Sequence, residues 1–222
     1  MAYAWLPGAR YIRAETDGGP LRGGVPRAVW LTLCTAPGRV SVQSAAERLI
    51  TEHRPCHLIW DPVTGEVAQL ISVLRAGRAL GAADRLEWAP SRGRWRPASV
   101  NGQGRICVQI GVLSTAAEPF TSGPLAGVEA IMSWLDAWGV ARHWPCGQPS
   151  SPRAGRASSD ARADRQALWA RGGHFGASQV PGCEHAGPGS IDIDRLTGPR
   201  SRAVHTRGRP APLPAPVLAV PA

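Results

Sequence analysis

"RICVQIGVL", residues 105 to 113, sorts its side chains into two sets. Ile106, Val108, Ile110 and Val112 fall on one face, and Cys107, Gln109, Gly111 and Leu113 on the other. A period of two is the signature of an extended strand, so 105–113 is predicted as a strand. Upstream, "AVWLTLC" (28–34) is a short β-branched and aromatic run and reads as a buried strand. "CHLIW", "DPVTG" and "EVAQLIS" follow one another as strand, turn and strand, a hairpin over 56–60 and 66–72. Two stretches carry a helical stripe instead. In 41–53, Val42, Ala45, Ala46, Leu49 and Ile50 share a face, Ser41 is placed to cap, and Pro55 stops the run. In 124–139, Leu125, Val128, Ile131, Met132, Leu135 and Trp138 share a face, with Pro124 in the first turn and Gly139 at the exit. Interleaved strands and helices predict an α/β fold, a central mixed β-sheet flanked by helices.

The ends read differently. Residues 1–26 are rich in Gly, Pro and Arg and are expected to form an extended lead-in to a domain over 27–197. Within that domain 147–165 is an Arg- and Ser-rich stretch expected to be a flexible loop. From 198 to 222 prolines alternate with small and basic residues and no acid, which predicts a disordered basic tail. No internal repeat is evident. The chain of 222 residues is long enough for one substantial core and too short for two. Its nine tryptophans are expected mainly inside that core.

Charge and cysteine usage narrow the class further. The net charge of +9 is carried by arginine alone, since the chain has no lysine. Such a chain is attracted to anionic polymers, whether nucleic acid, teichoic-type wall polymers or phospholipid. Five widely spaced cysteines without a CxxC pattern argue against a disulfide framework and for reduced thiols. The first residues, "MAYAWLPGARYIRAE", show no basic region followed by an apolar run, so no secretory signal is expected. No apolar stretch is long enough to span a membrane. A monomer is expected.

The order of pieces, closed by "GGHFGASQVPGCEHAGPGSID" (172–192), resembles the N-acetylmuramoyl-L-alanine amidase family. That family shares its fold with the peptidoglycan-recognition proteins, and the nearest group is actinobacterial or phage endolysin-like. The resemblance spans roughly residues 4 to 196. It implies a zinc hydrolase, with three protein ligands and an open position for the attacking water. It also implies where the ligands would stand. The family's first strand reads Val-Trp-His, where this chain has Val29-Trp30-Leu31. Gly-His-x-Gly-His is here Gly173-His174-Phe175-Gly176-Ala177. His-x-Asp-Pro-Gly is here His185-Ala186-Gly187-Pro188-Gly189. The acidic residue that often closes the family's "VQIE" strand is replaced by Gly111.

Leu31, Ala177 and Gly187 therefore stand at the three ligand positions, and none offers a donor atom. No cofactor is expected, zinc included. The resemblance requires Leu31, Gly111, Ala177, Gly187 and His185 to meet at one ligand cleft. Replacing Leu31, Ala177 and Gly187 by His, His and Asp is expected to rebuild a zinc site if the backbone keeps the family's spacing, with Gly111→Glu added for activity. No residue is assigned confidently to catalysis. His185, His174 and His57 are the weak candidates, and Cys34 and Cys183 are weaker alternatives as ligands. There is no GxSxG motif and no P-loop. Three functions stay open. The preferred one is an inactive amidase-like protein that binds peptidoglycan or muropeptides. Beside it stand an active endolysin-like amidase and a binder of anionic polymers or nucleic acid through its arginines, the Arg-rich tail included. The expected location is the cytoplasm, or the cell wall after phage-type release.

Overall fold

The computed structural model describes residues 2–35, 38–81, 86–89, 94–97, 99–149, 159–183, 185 and 187–198, with backbone alone for 86–89, 94–97 and 159–163. Strands β1 (Arg10–Tyr11), β2 (Arg27–Thr32), β3 (Leu58–Trp60), β4 (Val67–Gln69), β7 (Cys107–Val112) and β8 (Gly173–Gly176) form one six-stranded sheet, in the order β1-β4-β3-β7-β2-β8. The β3–β4 hairpin is antiparallel, and every other pairing is parallel. Helices α1 (Val42–Thr51), α2 (Val128–Ala137), α3 (Ser159–Trp169) and α4 (Ile193–Thr197) complete the fold, and a separate ribbon pairs β5 (Leu86–Ala89) with β6 (Arg94–Pro97). The mixed sheet with flanking helices is the architecture the sequence predicts.

The two sets of side chains in β7 build two cores. Ile106, Val108, Ile110 and Val112 pack with Trp30, Trp60 and the α2 residues Ile131, Met132 and Leu135. Cys107 and Leu113 face the other way, into a cluster with Val29, Leu31 and the α1 residues Val42, Ala45, Ala46 and Leu49. Both faces of β2 and β7 are buried along their whole length, as expected of parallel strands covered on both sides. Trp30, Trp60 and Trp169 are fully buried, and Trp134 and Trp144 nearly so.

Where element boundaries depart from the sequence reading, a tertiary contact explains the change. Ser41 does cap α1, its hydroxyl accepting from Ser44 N at 3.0 Å. Helix α2 starts at Val128 and not at Pro124, because the residues before it are tied to the β3–β4 turn. Ala126 N donates to Pro62 O at 2.9 Å, and Trp60 Nε1 donates to Ala126 O at 2.8 Å. Gly127 then takes a left-handed φ of 78° to enter the helix. Part of the stretch read as a loop over 147–165 is helical, since α3 begins at Ser159. The basic tail from 199 onward lies outside the described residues.

The first residues are tied to the sheet, with Arg10–Tyr11 as a short edge strand. Ile12 N donates to Gln69 O at 3.1 Å and Ala14 N to Leu70 O at 3.1 Å, which adds β1 to the sheet edge. The side chain of Gln69, 1% exposed, works in both directions. Its Oε1 accepts from Leu6 N at 2.6 Å, and its Nε2 donates to Ala4 O at 3.1 Å and Ile71 O at 2.9 Å. Gln69→Leu keeps the volume, orphans Leu6 N, and leaves Ala4 O with Val73 N as its remaining donor. We expect it to lower stability by about 1–3 kcal/mol in urea unfolding and to make the first dozen residues the earliest site of limited proteolysis. Unchanged proteolysis there would refute the role given to Gln69.

Candidate functional site

Parallel pairing across β7, β2 and β8 brings distant residues to one corner at the carboxyl ends of the strands. Leu31 is paired with Gly111. Trp30 pairs with Gly176, the last residue of β8, so Leu31 and Ala177 are the next residues on adjoining strands, and both belong to the α1-side cluster. The turn at 187–189 closes over them. Ser178 N donates to Gly187 O at 2.9 Å. Leu31, Gly111 and Ala177 are thus neighbours at the ends of adjoining strands, and Gly187 lies against Thr32.

That place is packed. Leu31 is 2% exposed and Ala177 is 0% exposed. A Cβ on Gly111 would lie 3.0 and 3.1 Å from the methyl carbons of Leu33 and 3.2 Å from Cys56 Sγ, so an acidic side chain there would have to displace both. A Cβ on Gly187 would lie 2.4 Å from Thr32 Oγ1 and 3.1 Å from the Thr32 backbone nitrogen. The threonine hydroxyl can rotate away, but the backbone nitrogen cannot. The volume that ligands would need is taken up by Leu33, Cys56 and Thr32. No signal in the sequence pointed to these three residues, because each lies outside the motif.

The histidines hold structure. His185 Nδ1 accepts from Gly187 N at 3.1 Å. Burial, with Arg54 nearby, lowers its pKa. His174 is in register with Ala28 and so lies on the α2 face of the sheet, away from Leu31 and Ala177. Its Nδ1 accepts from Trp30 Nε1 at 3.0 Å, and its ring stacks on Trp30 and leans on Trp144. His57 is fully buried between strands and does not line a cleft. Gln109 N donates to His57 Nδ1 at 3.1 Å, which leaves Nε2 protonated and donating to Arg75 O at 2.9 Å. Both rings are buried and hydrogen-bonded within the sheet. Cys34 is exposed at a left-handed φ of 52°, and Cys183 is half-buried.

A zinc ion needs three or four nitrogen, sulfur or oxygen ligands at about 2.0–2.3 Å. Among the described residues no three His, Cys, Asp or Glu side chains converge in that way. Leu31, Gly111, Ala177 and Gly187 themselves offer such an ion no side-chain donor.

The same arrangement of strands and helices recurs in solved structures. One is the Staphylococcus aureus hydrolase AmiA in complex with its ligand, with a TM-score of 0.51 and 12% identity over 87% of this chain and 82% of that one. The chain has an amidase-like fold. The endolysin N-acetylmuramoyl-L-alanine amidase LysCS from Clostridium intestinale also aligns, with a TM-score of 0.44 and 12% identity over 87% of this chain and 95% of that one. No protein-family model matches the sequence, and no curated protein does.

The packing at the corner revises the expectation that three substitutions would rebuild a metal site. The triple variant Leu31→His, Ala177→His, Gly187→Asp must push its new carboxylate into Thr32 and its imidazoles into an apolar cluster. We expect it to bind no stoichiometric zinc when titrated calorimetrically, and to be less stable than the native chain. Tight zinc binding by a folded triple variant would show that the 187–189 turn moves readily.

Burial pushes the pKa of His57 down from its ordinary 6.5 to about 4, and that of His174 from 6.5 to about 3. Between pH 6.5 and those values the unfolded chain binds protons that the folded chain does not. The stability these residues contribute is complete above about pH 6.5 and is lost as the pH falls toward 4, by up to about 1.4 kcal/mol per pH unit for each histidine. Urea unfolding at pH 7 and pH 5 should show this loss, and a His57→Gln, His174→Gln variant should show a flatter dependence. Equal stability of the native chain at the two pH values would contradict it.

Proposed function

We propose that this chain is a catalytically inactive amidase-fold protein that binds peptidoglycan or muropeptides without cutting them. The observation that carries the reading is the corner itself. Leu31, Ala177 and Gly187 have no donor atom, Leu31 and Ala177 follow paired residues of adjoining strands in one apolar cluster, and Gly187 lies against Thr32. A structural zinc site draws ~10–16 kcal/mol from its ligands, and with every ligand position lost that affinity goes too. Without the metal, no protein group here lowers the pKa of a water or polarises an amide carbonyl.

The ligand class is supported by the motif resemblance in 172–192 and by the amidase-like fold. A protein of this kind acts as a soluble monomer on wall fragments, whether they reach it in the cytoplasm or it reaches the wall after lysis. No helix among the described residues is long and apolar enough to cross a membrane. Arginine-rich segments, the tail included, would add affinity for anionic wall polymers that depends on salt.

The test uses the full native chain. Its metal content is measured by elemental analysis, its retention on purified cell walls by co-sedimentation, and its activity by release of stem peptides. We expect no stoichiometric zinc, no released peptide, and retention on walls that survives chemical removal of their anionic polymers. Zinc at one equivalent with peptide release would establish an active enzyme instead. Retention that vanishes with the anionic polymers would make it a polyanion binder.

A further inference from the structure

Next to the closed corner the surface opens into a trough of ≈ 590 Å³, within the usual size range of small-molecule sites. It runs between the 3-10 turn Phe120–Ser122 and the start of α4, and its rim at Ser190 follows directly on the 187–189 turn. We propose that this trough binds a neutral, hydroxyl-rich oligosaccharide. The proposal rests on the wall-binding reading above and assigns its saccharide part to this place.

The walls are rigid. Thr121 Oγ1 accepts from Asp192 N at 2.8 Å, and Arg195 Nη1 donates to Thr121 O. Asp192 is committed to capping α4, its Oδ1 accepting from Asp194 N at 3.1 Å and Arg195 N at 3.2 Å. Ile193 is anchored in the α2-side core. On this frame the side chains of Ser122, Gln148, Ser190 and Asp194 line the trough and make no hydrogen bond among the described residues. They offer two hydroxyls, an amide and a carboxylate to whatever enters.

Charge and shape together select the ligand. Two carboxylates, Asp192 and Asp194, face the trough against one guanidinium, Arg195, which leaves it locally negative in a chain of net charge +9. A polyanion is repelled here, although the rest of the molecule attracts one. A sugar hydroxyl donates well to a carboxylate, in a charge-assisted bond stronger than a neutral one, and accepts from the Gln148 amide. Pro119 and Ile193 supply a small apolar floor that suits the C–H face of a sugar ring. Apolar peptide side chains would find no deep pocket in such a lining.

The experiment titrates the full chain with a neutral β-1,4-linked N-acetylglucosamine tetramer by calorimetry, beside the wall co-sedimentation assay. Asp194→Ala and Gln148→Ala change exposed side chains that hold nothing together, so thermal unfolding should stay close to native. We expect the tetramer to bind, and each variant to weaken it about tenfold. If walls are retained but the tetramer does not bind, or if both variants bind it as the native chain does, the trough is not the saccharide site and the wall-binding reading stands. If neither walls nor tetramer are retained, both readings fail.

Discussion

The register of β2 between β7 and β8 is the constraint on which the rest of the molecule depends. All six residues of β2 are buried, and its apolar ones divide between two cores by parity, Ala28 and Trp30 to one and Val29 and Leu31 to the other. A shift by one residue would send Trp30 to the α1 side and Leu31 to the α2 side, exchanging a large ring for a leucine in both clusters. Trp30 makes that shift costly. It packs edge-on against Trp60, stacks on Phe120 and on His174, and donates its indole N–H to His174 Nδ1. The same register brings Gly111, Leu31 and Ala177 into line. The corner at the ends of these strands is a consequence of how the core is packed.

This coupling explains how the corner is well formed although Leu31, Ala177 and Gly187 carry no donor atoms. In a metalloenzyme, ligands at such a place are polar groups whose burial is offset by the ion. With Leu31 and Ala177 in their place, the core simply extends to the end of the strands, and burial of apolar surface supports the fold at about 25 cal/mol per Å². Gly111 makes room for Leu33 and Cys56, and Gly187 makes room for Thr32. The substitutions and their surroundings agree with each other, as packed interiors require. The buried histidines follow the same logic. Burial favours the neutral form of both; His57 bonds through both ring nitrogens, and His174 accepts from Trp30 through Nδ1.

The polar network around Gln109 shows how the loops are held in turn. Gln109 Oε1 accepts from Ala79 N at 3.0 Å, and its Nε2 donates to Asn101 Oδ1 at 2.7 Å; Asn101 Nδ2 donates to Leu80 O at 2.6 Å. Two buried amides therefore fasten the segment after β4 to the segment before β7, and between them the chain leaves the main sheet to form the β5–β6 ribbon. Buried amides this fully satisfied favour a single arrangement of the loops over competing ones.

Alternation in "RICVQIGVL", the helical stripes of 41–53 and 124–139, and the hairpin turn were legible in the sequence because they are local. A side chain's face follows from its position in a strand or helix, whatever surrounds it. The motif positions Leu31, Gly111, Ala177 and Gly187 were legible too, as residue types without donor atoms. Which groups fill the space beside them was not. Leu33, Cys56 and Thr32 reach the corner only through parallel pairings between strands that are distant in the chain, and no local period encodes such pairings. His174 sits inside the motif yet points to the opposite face, since the strand places successive side chains on alternate sides. The trough between residues 119 and 122, Gln148 and the start of α4 arises in the same way, from three segments that only the packed sheet and its helices bring together.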